Sequence, residues 1–262
     1  VVPGRRASGR LLGGVTALVT LWLYLPVVVM VVFSFNDTTS RLNFSWQGFT
    51  TRWYRQALAV PDLTEALVNS LVVASATAVV GTVVGGTLGY ALARTVFRGR
   101  RLTEGVLVVS VAAPEVVLGA ALLSLLVSLG LPAGLTAVFV AHVMFCIAYV
   151  ATTVRARAAG ADITLEDAAA DLGADPWAVF RLVTLPQLAP GLIAAGGLAF
   201  LLSFDDFVIT SFLVGSSTTL PVWIYSAGRF GIPPQVNVLA TMALAIALVA
   251  VVAWNLRRPG RR

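Results

Sequence analysis

Stretches of twenty or more residues without one charged side chain recur along this sequence, and they leave little freedom of architecture. At about 1.5 Å per residue each is long enough to cross a hydrocarbon layer of about 30 Å. Inside such a layer the backbone must satisfy its own hydrogen bonds, which a helix does. Six runs are read: 11–33, 67–93, 105–131, a fourth that follows a turn at Gly130, Pro132 and Gly134 and ends near Val154, then 190–213 and 236–254. The third carries Glu115, and the fifth carries Asp205 and Asp206. With 58% hydrophobic and 11% charged residues, a chain of 262 cannot bury its apolar side chains in one soluble core. The expected fold class is all-α, a polytopic transmembrane bundle of six spans.

All 18 basic residues are arginine, which excludes a chemistry. A phosphate-binding GxxxxGK[ST] loop requires a lysine. Without one, an ATP site of that kind is not expected on this chain; separately, no catalytic residue or cofactor is read in it, and it is not expected to be an enzyme. The one cysteine and the one histidine, Cys146 and His142, lie within an apolar run, make a poor metal site and are read as packing. The arginines flank hydrophobic spans instead of forming a patch, so the expected surroundings are lipid and not nucleic acid.

The same arginines orient the chain, because cytoplasmic flanks retain positive charge. An even number of spans puts both termini on one side. That side carries fourteen arginines, among them Arg5, Arg6, Arg10, Arg94, Arg98, Arg100, Arg101, Arg155, Arg157 and Arg181, against Arg41, Arg52, Arg55 and Arg229 on the other. Both termini are therefore expected in the cytoplasm. The first run, with 23 uncharged residues, exceeds a signal-peptide core and is read as a retained anchor, with Val1 leaving the start open. The division read from hydropathy is 1–66 for the first helix and outer loop, 67–256 for a core of five helices with a cytoplasmic loop at 155–187, and 257–262 for a basic tail. Trp46, Trp53 and Tyr54 in the outer loop suit an interfacial tether. Gly81, Gly85 and Gly89, four residues apart, make a smooth face for a second helix.

The cytoplasmic loop reads as two short helices around a break. Thr164 can cap the first, with Glu166 and Asp167 over its N-terminal turn. Gly173 closes it in a left-handed conformation, Asp175 caps the second, Pro176 occupies its first turn, and Leu185-Pro186 mark the start of the fifth span. Small Ala168 and Ala169 permit close approach of a partner.

The run Asp167-Ala168-Ala169, Gly173, Val183-Thr184-Leu185-Pro186 resembles, at the same spacing, the E-A-A-x-x-x-G and I-x-L-P pattern of the permease subunits of ABC importers. Asp167 stands where the pattern has glutamate, one methylene shorter, and Val183 where it has isoleucine. Ser34-Phe35-Asn36, the 46–50 segment with Trp53-Tyr54, Asn69-Ser70-Leu71, Ser203-Phe204-Asp205-Asp206, Leu220-Pro221 and Asn237 are similar to the spermidine/putrescine type of permease. The resemblance implies a type I importer fold in a bacterial inner membrane, with an ATPase subunit dimer, a second permease subunit and an extracytoplasmic substrate-binding protein as partners, and ATP and Mg bound by the ATPase. It also implies docking to that ATPase through Glu166, Asp167, Ala168, Ala169, Asp171, Gly173, Leu185 and Pro186.

An ionisable group in a helix centre costs about 2.5 to 3.5 kcal/mol on insertion scales, so Glu115, Asp205 and Asp206 are expected to face a cavity or a partner. On a continuous helix Asp206 shares its stripe with Ser203 and Thr210, whereas Asp205 shares one with Leu201, Leu202, Val208, Ile209 and Phe212. Asp206 is expected to line the path and Asp205 to pair with a neighbouring helix or subunit. An acidic lining suits a cation such as a polyamine. Open beside it stand protonated or merely structural carboxylates, another small solute such as an opine, amino-acid derivative or metal ion, and a proton-coupled carrier using the carboxylates as a relay. The carrier predicts an internal repeat, and none is visible.

Overall fold

Proline and local carboxylates decide which apolar runs stay straight. The computed structural model describes residues 4–38, 43 and 45–256, without the side chains of 4–11, 254 and 255. The tail 257–262, Val1, Arg41 and the side chains of Arg5, Arg6 and Arg10, which carry part of the orientation reading, lie outside the described residues. In order the helices are α1 Gly4–Phe33, α2 Arg52–Arg55, α3 Pro61–Arg94, α4 Arg100–Ala112, α5 Glu115–Ser128 and α6 Leu135–Ala159. There follow α7 Thr164–Asp171, α8 Pro176–Val179, α9 Leu185–Asp205, α10 Val208–Leu213, α11 Leu220–Ala227 and α12 Pro234–Leu256. The chain is all-α among the described residues, with one isolated bridge between Asn36 and Phe49. Five helices are long and apolar enough to cross a membrane, and the α4/α5 pair makes a sixth span if counted as one.

That pair corrects the third run. α4 and α5 meet at 108°, so 105–131 is not one straight span. Pro114 lacks an N–H and disfavours helical backbone in the residue before it, and Ala113 is extended at ψ 132°. Glu115 is consequently the first residue of α5, where helix N–H groups favour a carboxylate, and not a residue within an unbroken helix. The fifth run also breaks: α9 ends at Asp205, Asp206 is extended at ψ 118°, and α10 starts at Val208.

At its other end α9 is longer than expected. Helical backbone continues from Pro176 to Asp205, 30 residues, so Leu185-Pro186 is not a boundary. A π turn at Phe180–Thr184 makes this possible. The Pro186 ring would collide with the carbonyl of Leu182 four residues back, and widening that turn relieves the clash without ending the helix.

Packing divides the chain into two units, 1–61 with 224–262, and 62–223. In the first, α12 packs on α1 and α2. Its loop is a knot around Asn36. The Asn36 amide donates to Asn43 Oδ1 and to the Ser45 carbonyl, its Oδ1 accepts from the Gln47 amide, and its own carbonyl accepts from Trp53 Nε1 at 2.9 Å. Tyr54 meets Ser34 at 2.7 Å. Trp53 and Tyr54 are thus tied to the end of α1 and are more than interfacial rings.

In the second unit α6 is the centre, packed by α4, α9 and α10. The glycine face of α3 lies on it: a Cβ at Gly85 would stand 2.9 Å from the Ile147 carbonyl oxygen, and one at Gly89 only 2.4 Å from the Ala151 carbonyl oxygen. These are main-chain approaches that only glycine permits. α5 rests on α10 through Gly119, against which Phe212 is pressed.

Candidate functional site

The two helix breaks place three carboxylates on one cleft. Glu115 at the start of α5 and Asp205 and Asp206 at the end of α9 line an open cleft of about 530 Å³, with Phe145, Tyr149, Phe204, Phe207, Leu201, Leu202 and Val208. Phe145 and Tyr149 on α6 stand edge to face, 6.4 Å apart. Glu115 and Asp205 are exposed and form no ion pair among the described residues. Ring faces beside carboxylates are a surface on which a cation exchanges its hydration for anionic and π partners.

Asp206 is held differently. Its side chain keeps only 4% of its surface and that of His142 only 1%. Asp206 Oδ2 accepts from the Thr210 amide at 2.8 Å and from Thr210 Oγ1 at 2.7 Å, and lies 3.2 Å from His142 Nε2. The Thr210 bonds are those of a helix cap, and they supply a reason for the break: Asp206 satisfies α10 from outside it. His142 Nδ1 meets Ser203 Oγ at 2.7 Å, and Nε2 lies 3.1 Å from Thr210 Oγ1. Ser203, Asp206 and Thr210 meet, as the stripe places them, but around a broken helix and on a side chain read from sequence as packing. His142 is the residue that reading missed. A signal was available, since a lone histidine in an apolar run is itself an intramembrane ionisable group. Cys146, one turn on, is buried against the Ala199 carbonyl.

The loop between α6 and α9 forms the second site. Asp162, not Thr164, caps α7: its Oδ1 accepts from the Thr164 amide at 3.0 Å and hydroxyl at 2.7 Å, and these bonds, the hydroxyl's first, hold the Asp162 carboxyl below the usual carboxylate range. The helix closes on Gly173 at φ +86°, with the Gly173 amide donating to the Ala170 carbonyl and the Ala174 amide to that of Ala169. Asp175 Oδ1 accepts from Trp177 and Ala178 amides and so starts α8.

Of the docking candidates, Asp167, Ala168, Asp171, Gly173, Leu185 and Pro186 are exposed, and Ala169 is half-buried. Glu166 is turned inward, with Oε1 accepting from Arg94 Nη2 at the end of α3 at 3.2 Å. Leu172 and Trp177 stand out beside them, 90% and 67% exposed. The result is a small, capped, acidic and apolar knob.

A family model described as the binding-protein-dependent transport system inner membrane component matches residues 81–258. The spermidine/putrescine transport system permease protein PotC of Escherichia coli K12 is 39% identical over 250 residues, covering 95% of this chain and 94% of the relative. The putrescine transport system permease protein PotI of the same organism is 39% identical over 244 residues, covering 90% and 86%. Among solved structures, a chain of a bacterial ABC transporter involved in the import of the acidic polysaccharide alginate has a TM-score of 0.69 at 17% identity, covering 98% of both chains. A chain of the inward-facing MetNI methionine ABC transporter has a TM-score of 0.59 at 20% identity, covering 75% of this chain and 94% of that one. At those identities the two structures speak for the fold alone.

Proposed function

The chain belongs to the binding-protein-dependent transport system inner membrane components, and from that premise we propose that it is one of two permease subunits of an ATP-driven importer for a polyamine of the spermidine and putrescine class. It is a multi-pass membrane protein of a family of transport permeases. ATP and Mg are bound by a separate ATPase dimer that docks on the α7–α8 knob, an extracytoplasmic binding protein delivers the cation, and both termini face the cytoplasm of a bacterial cell.

The observation that carries this reading is the cleft, in a chain whose relatives are named for spermidine and putrescine. A polyamine alternates ammonium groups with methylene stretches. Glu115 and Asp205 offer exposed counter-charges, Asp206 adds one from within the wall, and Leu201, Leu202, Val208 and the rings offer apolar surface between them. Ser203 and Thr210 stand behind that wall, Ser203 against His142 and Thr210 bonded to Asp206. An anion would meet three carboxylates of its own sign.

Uptake into vesicles holding this chain with its partner subunits tests the reading. Putrescine and spermidine should enter only with ATP and loaded binding protein. A binding protein without affinity for either would reject polyamines and leave the importer, whereas uptake that persists without the ATPase and collapses with the proton gradient would reject the importer.

A further inference from the structure

The buried histidine has no part in the mechanism above, yet it touches the acid of the cleft wall. We infer that His142 is a positioning residue for cation passage, fixing the Asp206 carboxylate at the cleft through its Nε2–H. This rests on the importer reading.

The proton arrangement follows from the partners. An ionised Asp206 only accepts, and Thr210 Oγ1 already donates to it, so the proton facing both must sit on His142 Nε2. Nδ1 is then free to accept the Ser203 hydroxyl at 2.7 Å. One neutral tautomer satisfies every contact of the cluster. Asp206 Oδ2 thereby takes three donors, while Asp206 still borders the cleft beside Asp205. A carboxylate taken out of water is tolerable only where donors replace its hydration, and two of the three come from Thr210 on the adjoining short helix. His142 supplies the third from α6, the central helix, and so ties the break between α9 and α10 to the element that also presents Phe145 and Tyr149. A side chain there merely as filler would need neither ring nitrogen.

The glutamine amide reproduces a donor near Nε2, and the asparagine amide, one methylene shorter, falls short of Asp206. His142→Gln and His142→Asn are compared in the complete importer by polyamine uptake and by ATP hydrolysis stimulated by loaded binding protein. His142→Asn should lose about tenfold in uptake per ATP hydrolysed, the scale of one charge-assisted hydrogen bond. His142→Gln should recover at least a third of the wild-type ratio. Uptake and hydrolysis falling together in His142→Asn, or equal defects in the two variants, assembly failure included, would overturn the role. Absence of polyamine uptake in the wild-type importer would instead remove the functional reading on which it rests.

Discussion

Replacing Glu166 by alanine should loosen the α7 helix from α3 far more than its place on an exposed loop suggests. Arg94 and Glu166 side chains retain only 15% and 16% of their surface, and their charged atoms are 3.2 Å apart. At that distance and an effective dielectric of about 20 the gross attraction is about 5 kcal/mol, much of it offset by desolvation of both ions. What truncation measures is the partner left behind. Among the described residues the Arg94 guanidinium would keep only the Ala161 carbonyl at 3.5 Å, and its Nε is already buried without a partner there. Orphaning a buried ion costs about 3 to 5 kcal/mol, and the residual exposure here puts the expectation at the lower end, about 3 kcal/mol. That raises local opening about a hundredfold, readable as amide exchange of α7 in the assembled importer. Arg94→Ala should do the same, and the double variant should be no worse than either single one. Additive effects, or unchanged exchange in Glu166→Ala, would refute the argument that the two ions act as one element.

Gly89→Ala should destabilise the chain by about 1 to 3 kcal/mol in detergent unfolding, because its Cβ would lie 2.4 Å from a main-chain oxygen that cannot step aside. Gly105→Ala, with nothing within 4 Å, should instead stabilise by about 0.5 to 1 kcal/mol, and equal effects of the two would refute the packing account. Since the Thr164 bonds lower the Asp162 carboxyl, the α7 cap is fully present above the ordinary carboxylate range and is lost only as pH falls through that lowered value. Exchange of the Thr164 segment, corrected for intrinsic rates, should therefore stay slow from neutrality into mild acid and quicken below it, and a pH-independent response equal to that of Asp162→Ala would contradict the cap. Asp206→Asn should impair polyamine uptake more than Asp205→Asn, and the reverse ranking would place the decisive charge on the exposed acid.

Local chemistry made the loop legible. Gly173, Asp175 and Pro176 each act on their nearest neighbours, so their roles follow from composition at a given spacing. The glycine face of α3 was legible for the same reason, a repeat within one helix. Pro114 announced a break, but a hydropathy window runs across it without noticing. The break at Asp206 has neither proline nor glycine and depends partly on His142, 64 residues away along the chain, which periodicity cannot see. The knot of Asn36, Trp53 and Tyr54 likewise joins motifs that sequence shows only as separate similarities.

The uninterrupted helix from Pro176 to Asp205 has a mechanical consequence. Thirty residues at about 1.5 Å each make a strut about 45 Å long, with the knob at its foot and the acidic end of α9 at its head. An axial thrust delivered at Trp177 passes no break in the helix before Asp205, and the widened coil at Phe180–Thr184 and the missing N–H of Pro190 mark where along the shaft a twist or bend can be absorbed. In the proposed importer such a shaft would act like a connecting rod, carrying stroke from one end to the other and leaving the bearing, at Asp206, to do the turning.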